Sequence, residues 1–142
     1  MKGVIQIAHG MCEMKERYTA FMEYMVQQGY ACIIHDHRGH ENSVKEKKHL
    51  GYMYGGGAEA LVEDLHQITM QAKERWTQAP LILLGHSMGS MVARVFIKKY
   101  DGELQALIIC ERRGTVISVE NYIRVCATRY CRRRLNMRCM RI

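Results

Sequence analysis

The 142 residues contain no apolar run near the ~20 that a helix needs to cross a bilayer, so no transmembrane segment is expected. Residues 1–10 carry one lysine and a short apolar run before His9, which lacks the form of a secretory signal, and a cytoplasmic location is the expectation. Six cysteines are present without the paired spacing of a small disulfide scaffold, and they read as reduced thiols. Internal repeats are missing. Spacing of a known zinc site is missing too, both at His35, Asp36, His37 and His40 and at Cys126, Cys131 and Cys139, so no metal is assigned. Lysine is absent from residues 110–142, and histidine is absent after His86.

What is present falls into two regimes. Nearly half of the residues are apolar, a globular composition, and the length suits one domain. Residues 1–109 hold 12 Lys and Arg against 12 Asp and Glu, whereas residues 110–142 hold nine Arg against two Glu. The formal charge of +7 therefore belongs to the last 33 residues, which also carry four of the six cysteines. The switch from lysine to arginine near Cys110 divides a domain over residues 1–110 from a basic tail over residues 111–142.

Apolar runs at 4–8, 31–35, 81–84 and 104–109 have the length of buried strands. Between the first two, Tyr18, Phe21, Met22, Met25 and Val26 recur at helical spacing, and Gly29 supplies the stop. Residues 44–57 read as loop. Residues 58–76 read as a helix with Leu61, Leu65, Ile68 and Ala72 on one face, and a further helix reaches about Tyr100. Strands alternating with helices predict an α/β fold with a parallel sheet of about four strands and right-handed crossovers.

Gly85-His86-Ser87-Met88-Gly89 has the form G-x-S-x-G, with a leucine-rich strand leading in and an amphipathic helix leading out. That setting is the one a nucleophile elbow requires. The tight turn strains the serine backbone and leaves no room for side chains at Gly85 and Gly89. Helical amides after the serine face charge that develops on a bound carbonyl. Ser87 is thus the candidate nucleophile. The Met88 N–H is one candidate oxyanion donor. The other is the Met11 N–H, on the loop after the first strand, where Gly10 lets backbone approach substrate. His86 adjoins the nucleophile, but a tight turn aims it elsewhere.

Ala8-His9-Gly10-Met11-Cys12-Glu13 followed by Arg17-Tyr18 resembles the H-G-x-x-E-H…R-Y segment of the monoglyceride-lipase and lysophospholipase families of α/β-hydrolases. Gly29-Tyr30 and Asp36-His37-Arg38-Gly39-His40 resemble their G-Y…D-x-R-G-H-G-x-S segment, and residues 61–65 the helix ahead of the nucleophile strand. The blocks keep family order from residue 4 to about 110. Met14 replaces the family's usual histidine and Glu41 its glycine. The resemblance implies a serine hydrolase of glycerides, lysophospholipids or similar acyl esters, with Ser87 as nucleophile, Met11 and Met88 as oxyanion donors, and no cofactor. It gives Glu13, Arg38 and His40 structural roles. It also implies that residues 4–110 supply about four central strands of a nominal eight.

A serine hydrolase of this fold takes its acid and then its histidine from chain that follows the serine. After Ser87 there are Asp101, Glu103, Glu111 and Glu120, and no histidine. The triad Asp and His of the family are thus not present, and the 142 residues are expected to be inactive by themselves. The family strand ending near Cys110 tends to continue with Gly-Thr, and Glu111-Arg112-Arg113-Gly114 stands there instead. With the arginine switch and the cysteines, this reads as a frameshift at about residue 110. Two alternatives belong to other classes. One is a basic module whose Arg112–Arg113 and Arg132–Arg134 contact nucleic acid or anionic lipid, although no nucleic-acid motif accompanies them. The other is a non-catalytic α/β-hydrolase fold used for protein contacts.

Overall fold

The computed structural model describes residues 1–110, so the basic tail and the expectation of loose packing there lie outside the described residues. Four strands, β1 Gly3–Ala8, β2 Tyr30–Ile34, β3 Leu81–His86 and β4 Ala106–Cys110, form one sheet in the order β2-β1-β3-β4. All three pairings are parallel, as the alternating pattern predicts. Three helices connect them: α1 Thr19–Gln27, α2 Gly57–Arg75 and α3 Met88–Tyr100.

The strand order reverses direction between β1 and β3. From β1 the chain steps outward to β2, and from β3 it steps the opposite way to β4. Right-handed crossovers then place α1 on one face and α2 with α3 on the other. The core divides accordingly. Ile5, Ile7 and Leu84 pack with Tyr18, Phe21 and Met25 of the α1 side. Val4, Ala8 and Leu83 pack with Leu61, Leu65, Val92 and Phe96 of α2 and α3. In open parallel sheets such a reversal leaves a crevice at the carboxyl ends of the two diverging strands. Here those ends are Ala8 and His86.

Several local expectations need correction. Val26 is 57% exposed, so the buried stripe of α1 ends at Met25. Residues 44–57 are not all loop, because a 3-10 turn forms over Lys47–His49. The last strand begins at Ala106 rather than 104, because a 3-10 turn occupies Asp101–Glu103 just ahead of it. Gln6, the polar residue inside the first apolar run, is fully buried in the middle of β1. Its amide donates to the Leu65 carbonyl at 2.8 Å, and its carbonyl accepts from the Thr69 hydroxyl at 2.8 Å. This pair pins β1 to α2. A Gln6→Ala chain would leave the Thr69 hydroxyl without that acceptor and open a void, so its urea midpoint should report about 1–3 kcal/mol of lost stability.

Candidate active site

Ser87 sits between β3 and α3 with φ of +52°, a left-handed conformation that a non-glycine residue adopts only under constraint. The helix therefore starts at Met88, not at the serine itself. The constraint is visible on every side. A Cβ on Gly85 would come within 2.6 Å of the Gly89 carbonyl, and one on Gly89 would run into the Ala8 carbonyl. The two glycines are thus required by close backbone approach, as the motif implies. The Ser87 amide donates to the Cys110 carbonyl at 3.0 Å. The fully buried Ser90 hydroxyl donates to the Gly85 carbonyl at 2.8 Å and also lies 3.2 Å from the Cys110 carbonyl. Those bonds tie the elbow to the end of β4, and the Ser87 side chain stays exposed.

The loop after β1 comes to the same spot. A Cβ on Gly10 would lie 3.2 Å from that of Ser87, so the backbone of this loop borders the serine. Residues 10–13 form a turn closed by the Glu13 amide and the Gly10 carbonyl at 3.3 Å, with Cys12 at φ +56°. The structure thus brings Gly10, Ser87 and the first turn of α3 together at the crevice. The Met88 side chain is buried, and that of Met11 is 62% exposed.

Glu13, to which the resembled motif gives a structural role, occupies the centre of this junction. Its Oε2 accepts from the Gly10 amide at 2.8 Å, the Tyr18 hydroxyl at 2.7 Å and the His86 Nδ1 at 3.0 Å. Burial works to raise its pKa, but the bonds from Tyr18, Gly10 and His86 outweigh it and hold the carboxyl below its ordinary value. Burial first, and then the adjoining carboxylate, push the Tyr18 phenol well above its ordinary value. His86 is accordingly turned away from Ser87 toward Glu13.

Behind the loop lies a cluster of imidazoles. His9 and His37 have ring centroids 4.3 Å apart, His9 and His40 5.2 Å, and His35 and His37 5.0 Å. The His37 amide donates to His9 Nε2 at 2.9 Å, so the proton of His9 belongs on Nδ1, 2.8 Å from the Gly10 carbonyl. The ring nitrogens of His35 and His37 are buried and have no hydrogen-bond partner among the described residues. Burial, reinforced by the neighbouring His9, lowers the pKa of His35 to about 4 and that of His37 to about 3. Among the described residues, no three potential ligands are arranged to hold a metal ion.

Asp36 and Arg38 fasten the segment after β2. Asp36 accepts from the Lys15 ammonium at 2.5 Å and from the Lys15 amide at 2.8 Å. Arg38 makes two bonds of 2.6 Å to the Asp64 carboxylate on α2 and reaches the Met53 and Gly55 carbonyls. Glu41 adopts φ of +34°, which accounts for the glycine preferred at that position of the resembled motif. An open cleft of about 410 Å³ lined by Arg38, Ser43, Lys45 and Tyr54 lies along this segment, away from Ser87. The donors of Arg38 there are already engaged.

A parallel sheet with helices on both faces, and a serine held at positive φ on a strand-to-helix turn at the reversal of strand order, define an α/β-hydrolase. The chain belongs to the hydrolase family described as serine aminopeptidase, S33, whose model matches residues 1–136. It is 31% identical over 108 residues to a monoacylglycerol lipase of Mycolicibacterium smegmatis, covering 76% of this chain and 37% of that protein. A monoglyceride lipase homolog of Monkeypox virus is 33% identical over 92 residues, which is 65% of this chain and 32% of the relative. Among solved structures, a thermostable carboxyl esterase from Bacillus coagulans superposes with a TM-score of 0.72 at 29% identity, covering 77% of this chain and 35% of the esterase. The chain thus spans about a third of the length of these relatives. No helix among the described residues is long and apolar enough to cross a membrane.

Proposed function

We propose that this chain carries the nucleophile and oxyanion donors of a serine carboxylic-ester hydrolase of the carboxylesterase, monoacylglycerol-lipase or lysophospholipase type. The observation that carries the reading is Ser87 itself, exposed at φ +52° beside the Gly10 backbone. Its Oγ loses its proton to a histidine base and attacks the ester carbonyl carbon, and the carbonyl oxygen takes up negative charge. The Met11 and Met88 amides stabilise that oxyanion. Collapse expels the alcohol, which takes that proton back from the histidinium, and leaves an acyl-enzyme that water, deprotonated by the same histidine, hydrolyses. The substrate is a small acyl ester or a lipid, in keeping with the lipases and esterases that the chain resembles. No cofactor or nucleic acid enters the reaction.

That cycle needs a histidine in reach of Ser87 and a carboxylate to orient it. His86 is engaged by Glu13, residues 88–142 hold no histidine, and Glu103 pairs with Lys73. We read residues 111–142 as out-of-frame sequence. In that reading the coding DNA beyond residue 110, translated in the other two frames, contains an Asp-bearing segment and then a His-bearing one. The 142 residues alone should therefore hydrolyse a short p-nitrophenyl ester no faster than their Ser87→Ala form, at any pH from 5 to 9 on the order of physiological conditions. Turnover by this chain that disappears in Ser87→Ala would show that a base is present after all.

A further inference from the structure

Resting on that reading of Ser87, we propose that Glu13 is a positioning residue, which fixes the oxyanion loop and the nucleophile elbow to each other through a single carboxylate oxygen. Three donors from three places meet on Glu13 Oε2. The Gly10 amide belongs to the loop after β1, His86 Nδ1 to the residue before the serine, and the Tyr18 hydroxyl to the lead into α1. Distances of 2.7–3.0 Å make all three real hydrogen bonds, and the ionised acceptor strengthens them. The side chain is 10% exposed, so water competes little for that oxygen.

The geometry leaves Glu13 little choice of position. A Cβ on Gly10 would stand 2.9 Å from Oε2 and 3.2 Å from the Ser87 Cβ, so the carboxylate and the serine flank the same glycine backbone. By holding the Gly10 N–H, Glu13 sets the direction in which the next peptide, that of Met11, presents its own N–H. By holding His86, it sets the backbone from which Ser87 and Met88 follow. Two oxyanion donors on separate loops act together only if their separation is fixed, and Glu13 is the group that bonds to both loops. Arg17, 3.4 Å from the other carboxylate oxygen and mostly exposed, adds little to this arrangement.

The test is amide exchange and chemical shift by NMR on the full 142-residue chain and three variants. In Glu13→Ala the Gly10 amide should lose its protection from exchange, and the amides of residues 11 and 86–88 should shift with it. The central amides of β1 and α2 should stay put. Glu13→Gln, which keeps an acceptor of the same shape, should restore Gly10 protection in part. Should Glu13→Ala fail to fold, the Gln variant decides alone, with a retained Gly10 bond and displaced 86–88 resonances. Ser87→Ala should leave the Gly10 amide unchanged, because the clamp does not use the serine hydroxyl. A failed hydrolase reading would thus leave the Glu13 effects standing. Perturbation confined to residues 10–18, with 86–88 unmoved, would overturn the positioning role.

Discussion

Acidification from pH 6.5 to about 4 should cost the protein a large part of its stability. His35 and His37 are held neutral by burial, with pKa values of about 4 and about 3 against an ordinary 6.5. In the unfolded chain both take up a proton near pH 6.5, whereas in the folded chain they resist it. Their contribution is therefore fully present above pH 6.5 and is lost as the pH falls toward 4. The groups facing them do not remove the penalty. Asp36 and Asp64 attract a proton onto His35, but Asp36 is already engaged by Lys15 and Asp64 by Arg38, while His9 and His40 repel further charge. Each depressed unit corresponds to about 1.4 kcal/mol, so the cluster contributes on the order of 3 kcal/mol or more across this window. Urea midpoints measured every half unit of pH should fall accordingly. His37→Phe, which keeps the backbone bond to His9, should flatten the profile between pH 6.5 and 4. Below that, protonation of Glu13 and Asp36, both held below their ordinary values, removes a further share. A midpoint independent of pH down to 4 would contradict the burial of these rings.

The sheet was legible in the sequence because its strands read as apolar runs of strand length, although β2 is only half-buried along its length. The residues of β1 and β4 are buried throughout, and a parallel sheet covered on both faces requires just that. Strand order was not legible. Periodicity says nothing about which strand lies beside which, and the reversal between β1 and β3, which makes the crevice, appears only once the chain is folded. The edges of elements drifted for a similar reason. Val26 completes a helical stripe by spacing, yet it lies one residue before the end of α1 and no described element covers it, so it is exposed.

Within the site, the elbow was legible because its glycines are forced by backbone contact, which leaves a mark on the sequence at fixed spacing. The partners of the hydrogen-bond hubs left no such mark. The motif marks Glu13 as structural but not its partners, which come from positions three, five and 73 residues away. Ser90 carried a weak signal, a small residue three places after the nucleophile, but its bond to the Cys110 carbonyl requires β4 to be in place. Gln6 was recognisable as a polar residue inside an apolar run. What it pairs with was not, since Leu65 and Thr69 lie about sixty residues on.

Ser87 as the nucleophile of an ester hydrolase is most directly tested in a protein that joins residues 1–110 to the remaining strands, with their Asp and His, that the family resemblance implies. In that protein, kcat/KM for a monoacylglycerol or a short p-nitrophenyl ester is compared with and without Ser87→Ala. Members of a catalytic triad act as a unit, and removal of the nucleophile leaves only what the oxyanion donors and binding contribute. The account predicts a loss on the order of 10⁴-fold or more, falling on kcat, with the fold unchanged by circular dichroism. Retention of full activity by Ser87→Ala in a protein that hydrolyses the ester would contradict it.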